Sequence, residues 1–265
     1  MMKEFTQNIP ENLSALLEKM ATDFPSLLEN NLVGIYLWGS LTYEAFDEGC
    51  SDVDCIVVTR KDISEREFSA LEKWFEKSLG ENQWTSKLDL RFVIDGEFLG
   101  KTSRCVGYHF GKLWRHGSDA NPIIWVNIGQ SGITLWGKPA GEIAPEITPE
   151  VLNDALLLEF EYLKEDLAAN VGDKSDLAFF HNSYAVLTAC RIFYTAHQRT
   201  LVSKDTARIW ALENVPLNWH SIIDTARKNR IAGKGLKTTK LENDAMDFIL
   251  FIENQVKSLL SISFS

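Results

Sequence analysis

The sequence predicts an α+β fold, with an N-terminal domain of mixed sheet and helices followed by an all-α helical bundle. Three observations carry this. As far as Trp136, short apolar runs alternate with stretches of helical spacing. Beyond that point helical spacing holds nearly to the end. Between the two, Lys138-Pro139-Ala140-Gly141 breaks the pattern, and Thr148-Pro149 offers an N-cap with proline at the first helical position. The domains are therefore placed at 1–148 and 149–265.

Taken in order, Asn12 to Glu29 reads as a helix and Leu32 to Trp38 as a strand. Val53 to Thr59 is a second strand, Ser64 to Leu79 a helix, and Leu88 to Ile94 a third strand whose residues alternate between apolar and polar. Ile123 to Ile128 and Ile133 to Trp136 read as further short strands or a hairpin. The second domain contributes helices at 149–170, 176–199, 203–213, 218–229 and 239–259. No internal repeat or low-complexity segment is visible.

Composition narrows the function. The chain has 265 residues, with 27 Lys+Arg against 37 Asp+Glu and a net charge of −10. A pI near 5.1 excludes a nucleic-acid binder that works through a basic face. It favours small-molecule partners, cationic ones above all. No run reaches the ~18–20 apolar residues of a membrane span, and Met1 to Leu13 lacks the apolar core of a signal peptide. Cys50, Cys55, Cys105 and Cys190 form no CxxC pair, so free thiols and a cytoplasmic protein are expected. The charge is uneven. Residues 1–150 carry 23 acidic and 14 basic side chains, against 14 and 13 in the remainder.

The chemistry concentrates in Gly34-Ile-Tyr-Leu-Trp-Gly39-Ser40, followed after eleven residues by Asp52-Val53-Asp54. An apolar strand ends in Gly-Ser, and the next opens with two aspartates two residues apart. Side chains alternate along a strand, so Asp52 and Asp54 share a face. Two neighbouring carboxylates repel unless a cation lies between them. Mg²⁺ is the natural occupant, because it prefers oxygen ligands and commonly takes substrate phosphates as well. Gly39 allows close backbone approach and Ser40 adds a hydroxyl. A turn with two solvated aspartates is the plainer reading. Asp89 lies on the polar face of an alternating strand, 35 residues after Asp54, with Asp95 and Glu97 in the following turn, and a solvated carboxylate is the plainer reading of each.

The order strand, Gly39-Ser40, spacer, Ser51-Asp52-Val53-Asp54 resembles the signature of the polymerase-β-like nucleotidyltransferase superfamily. The second half narrows the resemblance. Leu187-Thr188-Ala189-Cys190-Arg191-Ile192-Phe193-Tyr194-Thr195, then Val202-Ser203-Lys204-Asp205-Thr206-Ala207 and Trp210-Ala211-Leu212, looks like the helical domain of aminoglycoside adenylyltransferases of the streptomycin/spectinomycin branch. The resemblance implies an N-terminal nucleotidyltransferase domain that moves AMP from ATP to a hydroxyl of an aminoglycoside or aminocyclitol, releasing pyrophosphate. Asp52 and Asp54 would hold Mg²⁺. Asp89 falls where the family has a catalytic glutamate and would serve as general base or as a further metal ligand. Gly39, Ser40 and Ser51 would meet the nucleotide's phosphates, and Arg191 and Lys204 would reach the triphosphate. The active site is then expected in the cleft between the domains.

Several positions depart from the family pattern. The spacer after Gly-Ser is one residue longer, and the third carboxylate is Asp rather than Glu. Gly111-Lys112-Leu113-Trp114-Arg115 stands for the family's Gly-Glu-Trp-Leu-Arg with its tryptophan displaced, leaving Trp114 as a candidate for stacking on the acceptor. His181-Asn182-Ser183-Tyr184 stands where relatives carry acids that hold a cationic drug, so streptomycin in particular is not implied. Glu150, Asp154, Glu161 and Glu165 are spaced to share a helix face, either solvated or facing a cationic sugar. The basic run Arg227, Lys228, Arg230, Lys234, Lys237 and Lys240 surrounds Gly233 and Gly235 and reads as a loop or as a neighbour of the nucleotide. His109, His116, His181, His197 and His220 show no ligand spacing, and none is assigned to catalysis. Transfer to another acceptor (a protein hydroxyl or a metabolite) and nucleotide binding without catalysis stand as alternative functions. The oligomeric state is open.

Overall fold

The structure is a computed structural model that describes residues 9–99, 106–115, 121–170, 176–232 and 240–262. Two compact units emerge, dividing between Ile147 and Thr148, with Glu48–Cys50 grouped with the second.

The first unit is a six-stranded sheet in the order β5-β4-β3-β2-β1-β6. Its strands are β1 (Leu32–Leu37), β2 (Val53–Thr59), β3 (Leu88–Ile94), β4 (Val106–His109), β5 (Lys112–Arg115) and β6 (Ile133–Gly137). Among the described strands only β2 and β3 run parallel, and the helix α2 (Glu65–Glu81) joins them as a crossover. Ser64 caps α2 reciprocally. Its hydroxyl accepts from the Glu67 amide, and the Glu67 side chain accepts from the Ser64 amide. One face of the sheet is covered by α2 and by α1 (Glu11–Leu28), which bury Leu13, Leu17, Phe24, Leu71 and Phe75 against Val53, Cys55, Leu88 and Leu90. The opposite face packs Tyr36, Ile56, Val58 and Val93 beneath α3 (Pro122–Ser131) and α4 (Ala140–Ile143). Sandwiched this way, β1 and β2 are apolar on both faces, as a central strand must be.

Two expectations change here. Ile123 to Ile128 is part of helix α3, not a strand. Asn121 accepts from the Ile123 amide and Pro122 occupies the first helical position, so the start signal overrides an apolar run whose periodicity fits either state. Ile133 to Gly137 is a strand, but its partner is β1 rather than the preceding segment. The β4–β5 hairpin leaves no mark in the sequence pattern. Its strands are four residues each, too short to show a period.

The second unit consists of α5 (Pro149–Ala169), α6 (Asp176–Gln198), α7 (Lys204–Asn214), α8 (His220–Ala232) and α9 (Lys240–Ile262). Helix α6 is central and packs on all four others. It is accordingly buried around most of its circumference, through Ala185, Val186, Leu187, Ala189, Cys190, Ile192 and Phe193. Trp210 of α7 lies 5.2–5.4 Å from the rings of Phe193, Tyr194 and His197, so much of the family pattern in this half is the α6–α7 seam. Cys50, Cys55 and Cys190 are free thiols. Among the described residues no helix is long and apolar enough to cross a membrane. Of the residues singled out in the sequence, Cys105, His116, Gly233, Lys234, Gly235 and Lys237 lie outside the described residues, as does the Lys240 side chain.

Candidate active site

Strand β1 ends against the start of β2, with Leu37 opposite Cys55 and the Trp38 amide donating to the Asp54 carbonyl at 3.1 Å. Immediately after Trp38 the chain turns through a short 3₁₀ segment, Gly39–Thr42. Gly39 has φ +71°, and a Cβ placed on it would stand 2.0 Å from Asp54 Oδ2. Glycine is thus required twice here, by the backbone conformation and by the carboxylate lying over its Cα.

The parallel register pairs Asp54 with Asp89 across β2 and β3. Their neighbours Val53, Cys55, Leu88 and Leu90 enter the core on the α1/α2 face, so both aspartates project to the opposite face. Asp52, two residues before Asp54, is exposed at the mouth of β2. The structure therefore gathers Gly39, Asp54 and Asp89 closely, with Ser40 and Asp52 adjoining. Asp95 and Glu97 are exposed beyond the far end of β3. Asp95 stands six positions along from Asp89, about 20 Å at strand spacing, which separates it from Asp54. Among the described residues no group of three or more His, Cys, Asp or Glu side chains is close enough to form a metal site by itself. Mg²⁺ needs no such cage, since it is commonly held by one or two carboxylates plus phosphate oxygens and water.

Asp89 is itself partnered. Its Oδ1 pairs with the Arg91 guanidinium, and its Oδ2 lies 3.4 Å from His109 Nδ1. Burial pushes the carboxyl upward, but His109 and Arg91 outweigh it and hold the group below the ordinary carboxylate value. His109 reaches this position because β4 runs antiparallel to β3 with Tyr108 opposite Leu90. That relation depends on strand register and has no signature in residue spacing. The Phe110 ring is 3.8 Å from the His109 ring and the Trp114 ring 6.3 Å, so Trp114 borders the same corner. Arg115 instead ties β5 to the start of α2, through Glu65 at 3.0 Å and the Ile63 carbonyl at 2.9 Å. The Ser51 side chain is buried, and its hydroxyl oxygen accepts from the Asp47 amide at 3.0 Å, closing the loop that precedes β2.

In the helical unit, Lys204 is the first residue of α7, behind the N-cap Ser203, whose hydroxyl accepts from the Thr206 amide at 3.1 Å. A cation at a helix N-terminus opposes the helix dipole. Here Lys204 Nζ is 3.8 Å from the Tyr184 ring centroid, a cation–π contact that offsets this. Burial, with Glu159 adding to it, raises the Tyr184 hydroxyl pKa, while Arg191 acts in the opposite sense. Tyr184 thereby connects the two candidate cations. Asp166, a possible partner of Arg191 on sequence grounds, is engaged by His181 Nδ1 at 2.8 Å. Glu150, Asp154, Glu161 and Glu165 are exposed on α5.

Comparison with known proteins follows the same division. Residues 14–105 match the nucleotidyltransferase domain family, and residues 142–255 match the family described as aminoglycoside adenylyltransferase, C-terminal domain. A spectinomycin 9-adenylyltransferase of Campylobacter jejuni is 23% identical over 250 residues, covering 89% of this chain and 92% of the relative. One from Staphylococcus aureus is 22% identical with the same coverage. Among solved structures, a spectinomycin adenyltransferase from Enterococcus faecialis with ATP and spectinomycin aligns with a TM-score of 0.68 and 19% identity. That alignment covers 94% of this chain and all of the other, and it supports the fold.

Proposed function

We propose, for a chain that belongs by both its domains to the nucleotidyltransferases of the aminoglycoside adenylyltransferase kind, that it moves AMP from ATP to a hydroxyl of an aminocyclitol of the spectinomycin type, releasing pyrophosphate. The observation that carries this reading is the in-register pair Asp54 and Asp89 beside the Gly39 turn. The nucleotidyltransferase domain makes the chain an enzyme, and the relatives' names support the acceptor. The His181-Asn182-Ser183-Tyr184 segment lacks the acid that relatives use to hold a cationic drug, so streptomycin in particular is not implied.

Asp52 and Asp54 would hold Mg²⁺, which when bound offsets triphosphate charge and favours in-line attack at the α-phosphorus. The oxygen-only donor set and the shared strand face of the two aspartates fit that ion. Ser40 offers the phosphates a hydroxyl donor. Asp89 takes the proton of the attacking acceptor hydroxyl as the oxygen–phosphorus bond forms and pyrophosphate leaves. The base role is supported by placement: Asp89 pairs with Asp54 in the parallel register, and Arg91 and His109 hold its side chain in position. Arg191 and Lys204 are assigned to the triphosphate. ATP as donor implies a cytoplasmic setting.

The test is a panel assay with α-labelled ATP, Mg²⁺ and spectinomycin, streptomycin and other aminoglycosides. Labelled spectinomycin is expected, and Asp52→Asn should abolish it with the fold intact. Labelled protein and no labelled drug would replace the acceptor. Tight ATP binding without pyrophosphate release would remove catalysis.

A further inference from the structure

Helix α3 is apolar through its first five residues, yet it carries one deeply buried amide, Asn127, which is 2% exposed between the core residues Ile124, Trp125 and Ile128. An unbonded amide in such surroundings is costly. Asn127 is bonded at both ends. Its Oδ1 accepts from the Gly39 amide at 2.6 Å, while its Nδ2 donates to Thr42 Oγ1 at 3.1 Å and to Ser131 Oγ at 2.7 Å. Thr42 Oγ1 in turn donates to the Gly39 carbonyl at 2.9 Å. Both polar groups of Gly39 are therefore fixed from outside the turn's own backbone. The residue so clamped is the one whose Cα carries the Asp54 carboxylate against it.

We infer that Asn127, together with Thr42, is a positioning residue for adenylyl transfer: it holds the Gly39 turn at the angle that sets the Asp54 carboxylate and presents Ser40. The inference rests on the reading that this turn serves the nucleotide. Asn127 itself touches no reacting atom. The Gly39 amide, pointed into the protein, is not a phosphate donor, so this glycine acts through shape rather than through its N–H. A turn released from this clamp can still fold, but its carboxylate samples positions away from in-line geometry. A misplacement near 1 Å can lower turnover by on the order of 100-fold.

The experiment combines amide hydrogen exchange with kinetics on the full chain. In the wild type the Gly39 amide should exchange slowly, and in Asn127→Ala much faster while the β2 and β3 amides stay protected. In that variant kcat should fall by roughly 100-fold, with KM for the aminocyclitol within about twofold of wild type. Asn127→Asp retains an acceptor for the Gly39 amide and should recover part of the loss. Thr42→Val, which removes only a hydroxyl, should lower kcat in the same direction and decides the matter if Asn127→Ala does not fold. Fast exchange of Gly39 in the wild type, or folded variants with kcat within about twofold of wild type, would overturn the assignment. If the wild type adenylates no acceptor, the acceptor reading fails separately. ATP affinity measured by calorimetry with Mg²⁺ then takes the place of kcat and should weaken in Asn127→Ala and in Thr42→Val.

Discussion

At Gly39 a backbone requirement and a charge requirement coincide. Its φ of +71° disfavours any side chain, and the Asp54 carboxylate occupies the space a Cβ would take. Gly39→Ala should therefore cost about 1–3 kcal/mol of stability in denaturant unfolding and most of the turnover, since the displaced group is a proposed metal ligand. Asp89 yields a second prediction. Burial works against its ionised form, but His109 and Arg91 prevail, so its folded pKa lies below the ordinary value of ~3.9. The acid limb of kcat/KM should fall below that value, and Arg91→Met or His109→Gln should move the limb upward. The same depression contributes stability that is present above the unfolded pKa and lost as pH falls through the lower folded one. These partners show how far the site is legible in sequence. Asp52, Asp54 and Asp89 stand out as carboxylates at strand positions. His109 does not, because its place beside Asp89 is fixed only by the β3–β4 register. Asn127 is concealed in another way, as one polar residue in an apolar run that fits helix and strand equally well.

Elements show the same contrast between strong and weak local signals. The Val53–Thr59 and Leu88–Ile94 strands are readable to the residue, because a buried central strand and an alternating one leave distinct patterns. The five helices of the second unit are readable to within three residues at every end, as caps and 3.6-residue periodicity allow. The ion cluster that fastens α5 to α9 leaves no such trace. Glu253 is 3% exposed and is flanked by Lys164 at 3.0 Å and Lys257 at 2.6 Å. Burial would raise its carboxyl pKa, yet the two lysines lower it on balance. Glu253→Ala leaves Lys164 partly buried without its inter-helix partner and should destabilise the unit. Breaking a buried pair costs about 3–5 kcal/mol, and the half-exposed Lys257 places the expected value at the lower end. Thermal unfolding followed by helical circular dichroism checks it, and Glu253→Gln should cost less.

For the whole molecule, net charge is informative mainly through its distribution. The acidic excess behind the charge of −10 lies in the same residues 1–150 that hold the proposed metal ligands. Each unit has its own core, so ligand effects are best read unit by unit. Mg²⁺ and ATP at 100 times Kd should add about 2.7 kcal/mol to whatever binds them. Hydrogen exchange should show the gain in β1–β3 and the Gly39 turn, and Asp52→Asn should remove it. A gain confined to the helical unit would contradict the assignment of the metal ligands.

The bond from Gly39 to Asn127 joins residues 88 apart in sequence. β1 likewise meets β6 across a long interval, Leu37 opposite Ile133. Such contacts carry the greatest loop-closure cost and form late. As the chain leaves the ribosome, β1, β2 and β3 emerge with Asp52, Asp54 and Asp89 well before α3 exists. A nascent chain at that stage carries the three candidate aspartates and Thr42, but not the Asn127 side of the clamp that orders the Gly39 turn. The Gly39 turn would then take its ordered form only as α3 and β6 close the sheet.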